Sequence, residues 1–275
     1  MTHPTIHDVA ARAGVSKSLV SLVMRASPGV SEQKRELVLR AAEDLGYRPN
    51  AVARSLVRRR SDVIGVMLSD LHNPFFTEVV DGIEQAALAA DYRALFNSGN
   101  RLPAGESVAI DTLLQLRVDG LILASPVLPM RQIEEAAAAV PVVLVARASA
   151  SPAVDSVTND ERAGAGLAVD HLVELGHRRI AHIDGGRGAG ARGRRGGYEA
   201  AMRRHGLERQ VRVAAGAYTE EGGARGVAGL LRGGEPPTAL FAANDLAAVG
   251  TLHALEDRGL RVPGDVSLVG YDNTS

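Results

Sequence analysis

The sequence predicts a small all-α head followed by an α/β body of parallel sheets, and three observations carry that reading. Short amphipathic helices separated by turn signals occupy the first fifty residues. From residue 63 onward, apolar runs of strand length alternate with helical stretches. The charge divides at the same place: residues 1–60 hold eleven Lys and Arg against five Asp and Glu, a net of +6, whereas the remainder sums to −7. A basic head on an acidic body is the electrostatic footprint of a nucleic-acid-binding module attached to something else. An ordinary solvated basic surface would give the same charge.

In the head, Thr5 followed three positions later by Asp8 is a capping-box start for a helix over 6–13, with Ile6, Val9, Ala10 and Ala13 on one face. Gly14 ends it, because a tight turn between helices needs a residue tolerant of positive φ. Ser16 caps a second helix over 17–24, whose inner side includes Val20 and Val23. Ser31 opens a third helix that runs to Leu45 and stops at Gly46, with Val38, Ala41, Ala42 and Leu45 at helical spacing. Asn50 is a good N-cap for the segment 51–56, which at one and a half turns is too short to be a stable helix alone and forms only with a partner. Residues 58–62 read as a linker.

In the body, strands are expected at 63–68, 93–96, 120–124 and 142–145, with helices at 75–90, 106–116 and 129–139. A second series places strands at 179–183, 211–215, 238–242 and 266–270, with helices at 161–175, 194–205, 220–231 and 245–258. Fully apolar strands alternating with helices mean parallel sheets covered on both faces. A break near 154–160 fits two doubly wound lobes with a cleft between them. A closed barrel of eight β/α units has the same grammar, so the alternation by itself leaves both open. The boundaries read 1–49 for the head, 50–62 for a hinge and linker, 63–157 for the first lobe and 158–275 for the second.

Several classes of function are excluded or disfavoured. Without Cys there are no disulfides, thiolate metal sites or Cys nucleophiles. No apolar run approaches the length of a membrane span, and the N-terminus lacks the pattern of a secretory signal, so a cytoplasmic location is the default expectation. The eight His are scattered, and no H-E-x-x-H, G-x-S-x-G or P-loop string occurs, so neither a metal centre, a catalytic residue nor a cofactor is expected. Gly188-Ala189-Gly190-Ala191-Arg192-Gly193 is a literal G-x-G-x-x-G, which in a dinucleotide-binding enzyme brings backbone N–H groups to a pyrophosphate. It lies in a loop rich in Gly and Arg, no acidic residue ends the following strand, and with 30 Gly a chance match is cheap.

The string Thr5-Ile6-His7-Asp8-Val9-Ala10-Ala11-Arg12-Ala13-Gly14-Val15-Ser16-Lys17-Ser18-Leu19-Val20-Ser21 closely resembles the helix-turn-helix of the LacI/GalR family of bacterial transcriptional regulators. The resemblance implies that Lys17, Ser18 and Leu22 read base edges in the major groove, and that Thr5, Ser16 and Ser21 belong to the same surface, the two serines holding phosphates. Leu19 stands in place of a usual Thr, and Leu22 where a polar reader is common; an apolar Leu22 suits a thymine methyl. Asn50-Ala51-Val52-Ala53-Arg54-Ser55-Leu56 matches the family's hinge helix. There the resemblance implies paired helices in the minor groove, Leu56 wedged into a base step, Ala53 against the groove floor and Arg54 on phosphate.

Further matches run through the body, among them Asn73-Pro74-Phe75-Phe76, Arg117-Val118-Asp119-Gly120, Ala243-Asn244-Asp245 and Gly270-Tyr271-Asp272. They imply a two-lobed core like that of periplasmic sugar-binding proteins. The implied effector site gathers Asp160, Arg194, Asn244 and Asp272 at strand ends, with Asp70, Asn73 and Phe75 after the first strand and Tyr218 as an aromatic wall. Family members run on past the Gly-Tyr-Asp segment, so the resemblance also implies a second lobe truncated at its C-terminal end. The expected function is a repressor that binds double-stranded operator DNA as a homodimer, without membrane association, under the control of a small polar effector of the sugar or nucleoside class. The alternative is a nucleotide- or sugar-dependent enzyme carrying a DNA-binding head.

Overall fold

The computed structural model describes residues 4–25, 27–48, 60–232 and 235–274. The chain divides into two units, Met1–Ser61 and Asp62–Ser275. The first unit packs α1 (Ile6–Ala13), α2 (Lys17–Met24) and α3 (Glu32–Asp44) around Val9, Ala13, Val20, Val23, Val38 and Ala41. Local chemistry sets each boundary. The Asp8 carboxylate accepts the Thr5 backbone N–H at 2.7 Å and the Thr5 hydroxyl at 2.8 Å, closing the first turn of α1. Gly14 ends that helix at φ +61°, and Ser16 Oγ accepts the Leu19 N–H at 3.2 Å to begin α2.

The second unit holds two open sheets, which removes the closed-barrel reading. The first contains β1 (Val63–Leu68), β2 (Arg93–Ser98), β3 (Gly120–Ala124), β4 (Val142–Val145) and β5 (Asp155–Val157), all parallel, in the order β2-β1-β3-β4-β5. One face is covered by α5 (Pro103–Gln115) and α6 (Met130–Ala137), through Ile110, Leu113 and Ile133 against Met67, Leu121 and Leu123. The other packs α4 (Phe75–Ala89), with Phe76 buried against Val66, Leu68 and Ala124.

The second sheet contains β6 (Ile180–Ile183), β7 (Arg212–Ala214), β8 (Ala239–Ala242) and β9 (Ser267–Val269), again all parallel, in the order β7-β6-β8-β9. Helices α7 (Glu161–Glu174) and α8 (Ala191–Arg204) cover one face, and α9 (Glu220–Leu230) and α10 (Asp245–Glu256) the other. In each lobe the first strand has neighbours on both sides that come later in the chain. That switch point leaves a crevice at the carboxyl ends of β1 and β3, and of β6 and β8.

The helices and strands fall where periodicity places them, with three departures. Residues 155–157 form the edge strand β5 where a bare interlobe crossover was expected; at three exposed residues it is too short to show a period. Helix α5 begins at Pro103 rather than at 106, because a first-turn proline lacks only an N–H that has no helical partner anyway. Helix α8 begins at Ala191 rather than at 194, inside the glycine-rich loop.

One core residue breaks the hydrophobic pattern. His182 on β6 is fully buried, stacked on Phe241 with centroids 4.7 Å apart and flanked by Tyr198 at 5.3 Å. Its Nδ1 donates to the Phe241 carbonyl at 2.9 Å, which fixes the neutral tautomer and leaves Nε2 without a partner among the described residues. Burial pushes its pKa from 6.5 down to about 4, although the Phe241 carbonyl and Asp184 pull it upward. Between those two pH values the unfolded chain binds the extra proton, so this residue's contribution to stability is full above pH 6.5 and is lost as pH falls toward 4. Wild type should therefore lose about 2 kcal/mol relative to His182→Phe between pH 7 and pH 5, measured by urea denaturation at both. A constant difference between the two proteins would show that His182 titrates normally.

Candidate functional site

The two crevices face each other within the second unit and enclose a cavity of about 400 Å³. On the first lobe its wall is made by residues just beyond β1 and β3. Asp70, 7% exposed, accepts the His72 N–H at 2.9 Å, and its other oxygen lies 3.5 Å from Arg101 Nη1. Asn73 Oδ1 accepts the Phe75 N–H at 3.1 Å, an Asx turn that sets the start of α4 and leads Phe75 and Phe76 into an edge-to-face pair at 5.3 Å. Ser69, Ser125 and Val127 complete this side.

On the second lobe the wall is organised by Arg194, in the first turn of α8 and only 7% exposed. Its Nε donates to Glu161 Oε2 at 2.6 Å and its Nη2 to Glu161 Oε1 at 3.4 Å. Nη1 donates to the Ala243 carbonyl and lies 3.3 Å from Asp272 Oδ1. The guanidinium plane is faced by Tyr271, whose ring centroid is 3.7 Å away, and by Tyr218 at 5.2 Å. Burial works against this charge, but the Glu161 hydrogen bonds, Glu161 and Asp272 outweigh it and hold the pKa above its ordinary value.

The neighbours of Arg194 are tuned in turn. Burial pushes Asp272 up to about 6, with Asp245 and Glu161 adding to the rise and Arg194 opposing it. Tyr218 is raised well above its ordinary value, chiefly by burial, so its hydroxyl remains a donor; it reaches the Ala189 carbonyl at 2.9 Å. Asn244 caps α10 by accepting the Ala247 N–H at 2.9 Å. Its Nδ2 is buried without a hydrogen-bond partner among the described residues, and the residue lines the cavity.

Of the eight residues expected here, Asp70, Asn73, Phe75, Arg194, Tyr218, Asn244 and Asp272 line the cavity. Asp160 does not. Its carboxylate is exposed and caps α7, accepting the N–H groups of Arg162 at 3.1 Å and Ala163 at 2.9 Å. The adjacent Glu161 enters the site instead, as the principal partner of Arg194. Sequence reasoning missed Glu161, because an acidic residue in a first helical turn reads as a dipole partner. It also missed Arg101 and Tyr271, whose roles depend on contacts distant in sequence.

The G-x-G-x-x-G string has a local explanation. A Cβ on Gly188 would stand 2.3 Å from Tyr218 Cε2, and Cβ atoms on Gly190 and Gly193 would stand 2.5 Å and 2.7 Å from Glu161 atoms. The glycines admit the two side chains that flank Arg194, which replaces the pyrophosphate reading. Among the described residues no group of His, Asp and Glu is placed to hold a metal ion, and no helix is long and apolar enough to cross a membrane.

The head presents a separate surface. Lys17, Ser18 and Leu22 are exposed on α2, while Val20 and Val23 face inward. Ser16 spends its acceptor on the Leu19 N–H and keeps its O–H to donate. Thr5 is committed to Asp8, and Ser21 is half-buried with its carbonyl taken by Arg25 Nε at 3.1 Å. Asn50, Ala53, Arg54 and Leu56 lie outside the described residues.

Residues 5–50 match the family described as bacterial regulatory proteins, lacI family, and residues 61–275 match periplasmic binding proteins and sugar binding domain of LacI family. Catabolite control protein A of Priestia megaterium is 36% identical over 274 residues, covering 98% of this chain and 82% of that protein. A crystal structure of the lac repressor dimer bound to operator and the anti-inducer ONPF superposes with a TM-score of 0.86 at 32% identity, covering 100% of this chain and 84% of that one. A transcriptional regulator CelR–cellobiose complex gives a TM-score of 0.69 at 33% identity over 98% and 83%.

Breaking a buried ion pair leaves an uncompensated charge, so Glu161→Gln should destabilise the second lobe by about 3 kcal/mol in chemical denaturation. A loss below about 1 kcal/mol would show that Ala243, Asp272 and Tyr271 hold the guanidinium without Glu161.

Proposed function

This chain belongs to the lacI family of bacterial regulatory proteins and is a DNA-binding transcriptional regulator rather than an enzyme, and from that premise we propose that it represses transcription at a near-palindromic operator under the control of a small polar effector bound in the cleft. The observation that carries the effector half is the convergence of four carboxylates, three side-chain amides, the buried guanidinium of Arg194 and three aromatic rings on one cavity of about 400 Å³. Carboxylates and amides offer the paired donors and acceptors that sugar or nucleoside hydroxyls require, and the rings cover their apolar faces. The neighbour holding cellobiose supports a sugar as the first class to try.

In the DNA half, α2 lies in the major groove and Lys17, Ser18 and Leu22 reach base edges, with the free hydroxyl of Ser16 on phosphate. Two subunits supply two such helices, and the operator mirrors their two-fold axis. The segment from Asn50 to Leu56 becomes helical on the operator, with Arg54 on phosphate, Ala53 near the groove floor and Leu56 wedged into the central step. Folding coupled to binding gives the effector its lever: whichever lobe arrangement it prefers raises or lowers the free energy of ordering that segment. A regulator of this kind works in the cytoplasm, where the chromosome is.

Selection of bound sites from random DNA, repeated with a panel of sugars and nucleosides, should return a pseudo-palindrome and one compound that changes its recovery; no preferred sequence would sink the repressor reading. In a titration series, Leu56→Ala should weaken operator binding at least tenfold more than binding to random DNA, whereas equal losses would remove the hinge assignment. The effector should also show a pH signature. A ligand hydroxyl donates best to an ionised Asp272, and that form is lost as pH falls through about 6. Calorimetry should therefore find effector affinity roughly tenfold weaker at pH 5 than at pH 7, a dependence that Asp272→Asn abolishes. A pH-independent affinity in the wild type would place the ligand away from this carboxylate.

A further inference from the structure

Glu106, in the first turn of α5, is fully buried and forms no part of the cavity lining. Its Oε1 accepts the Ser69 hydroxyl at 2.8 Å, and its Oε2 accepts the N–H groups of Val127 at 2.7 Å and Leu128 at 2.9 Å. A Cβ on Gly99 would stand 2.2 Å from Glu106 Cγ, so the turn after β2 lies directly on the same side chain. One residue thus meets the segments that follow β1, β2 and β3, the first and third through its carboxylate and the second along its stem. Those segments carry Ser69, Asp70, Arg101, Ser125 and Val127 of the cavity wall.

Arg147, just beyond β4, holds the same stretch from its carbonyls. Its Nη1 donates to Pro126 O at 2.9 Å and to Leu128 O at 2.6 Å. The backbone of residues 126–128 is therefore gripped through its donors by an acid and through its acceptors by a base. Burial lowers the Arg147 pKa, and the charge of Glu106 opposes that fall. The residues that adjoin the gripped stretch and Arg147 are strained. Ser125 and Ala146, both lining the cavity, adopt φ +51° and +58°, in the left-handed region that non-glycine side chains avoid. Such conformations persist only where the surroundings over-determine them. A buried carboxylate held by hydrogen bonds to a hydroxyl and two backbone N–H groups is a costly way to cover a sheet, and an apolar residue would serve packing better.

We propose that Glu106, with Arg147, is a positioning residue of the effector cleft: it fixes the 126–128 backbone and the Ser69 hydroxyl, so that the first-lobe wall is already in its binding geometry before a ligand arrives. The proposal rests on the reading of this cavity as the effector site. Preorganisation of this kind raises affinity by lowering the ordering cost on binding, without any contact between Glu106 and the ligand.

The test uses the full chain as wild type, Glu106→Gln and Arg147→Lys. A glutamine presents an N–H where Ser69 now donates and keeps one uncharged oxygen for both backbone N–H groups, and a lysine ends short of the Nη1 position from which both carbonyls are reached. Hydrogen exchange read by mass spectrometry should rise at least tenfold in peptides covering 125–129 and 98–102 in both variants, while the interiors of α5 and α6 exchange as in wild type. In parallel, thermal shifts are recorded with D-glucose, D-galactose, D-ribose, cellobiose and adenosine. Whichever compound stabilises wild type should give at most half that shift with either variant at the same concentration. Unchanged exchange in the two peptides, or a rise shared equally by α5, β1 and β3, would overturn the proposal in favour of plain packing, as would a full thermal shift in both variants. Should none of the compounds stabilise wild type, the choice of effector class fails, and the exchange data alone decide the positioning role.

Discussion

The second lobe is arranged around a guanidinium held away from water. Arg194 donates to Glu161 and to the Ala243 carbonyl, faces Asp272, and lies against Tyr271 with Tyr218 farther off, at 5.2 Å. An isolated charge in that position would cost several kcal/mol, so its partners must come as a set. Each is delivered by a different element: Glu161 by the start of α7, Ala243 by the end of β8, Asp272 and Tyr271 by the segment after β9, and Tyr218 by the approach to α9. One buried cation therefore ties the helix starts and strand ends of a lobe to one another. It also explains why the loop before α8 is so rich in glycine, since Gly188 admits Tyr218 and Gly190 and Gly193 admit Glu161.

The first lobe reaches the same end with the opposite charge. Glu106 gathers the segments after three strands, and Arg147 closes on one of them. In both lobes the organising ion binds mostly backbone or other charges and leaves few of its own atoms to the cavity. The residues that line it differ in chemistry: Asp70 and Asp272 as acceptors, Asn244 as an amide, and Phe75 and Tyr218 as aromatic walls.

The sequence made the head legible almost to the residue, because caps and turn glycines are local signals: Thr5 with Asp8, Gly14 and Ser16 set boundaries through contacts within four positions. The β/α alternation was equally legible, but the number of sheets was not, since periodicity says which face of a strand is buried and nothing about what closes it. Seven of the eight residues that the family resemblance assigned to the cleft line it, whereas Asp160 caps a helix and its neighbour Glu161 lines the cavity. Adjacent acids at a helix start are indistinguishable until the fold shows which of them meets residue 194, more than thirty positions on. Glu106 was invisible for the same reason, its partners lying 21 to 37 residues away. His182, one of eight His that the sequence leaves scattered, is a stacked core ring.

Control of DNA by a ligand is a coupling between two sites, and coupling is reciprocal. The most direct measurement is the full thermodynamic cycle: operator affinity with and without the effector, and effector affinity with and without the operator. The same factor is expected in both directions, about five-fold or more, and it should collapse toward unity in Leu56→Ala under the proposal that residue 56 links ligand state to operator binding. An effector that binds the cleft tightly yet with equal affinity to the free and the operator-bound protein would contradict it.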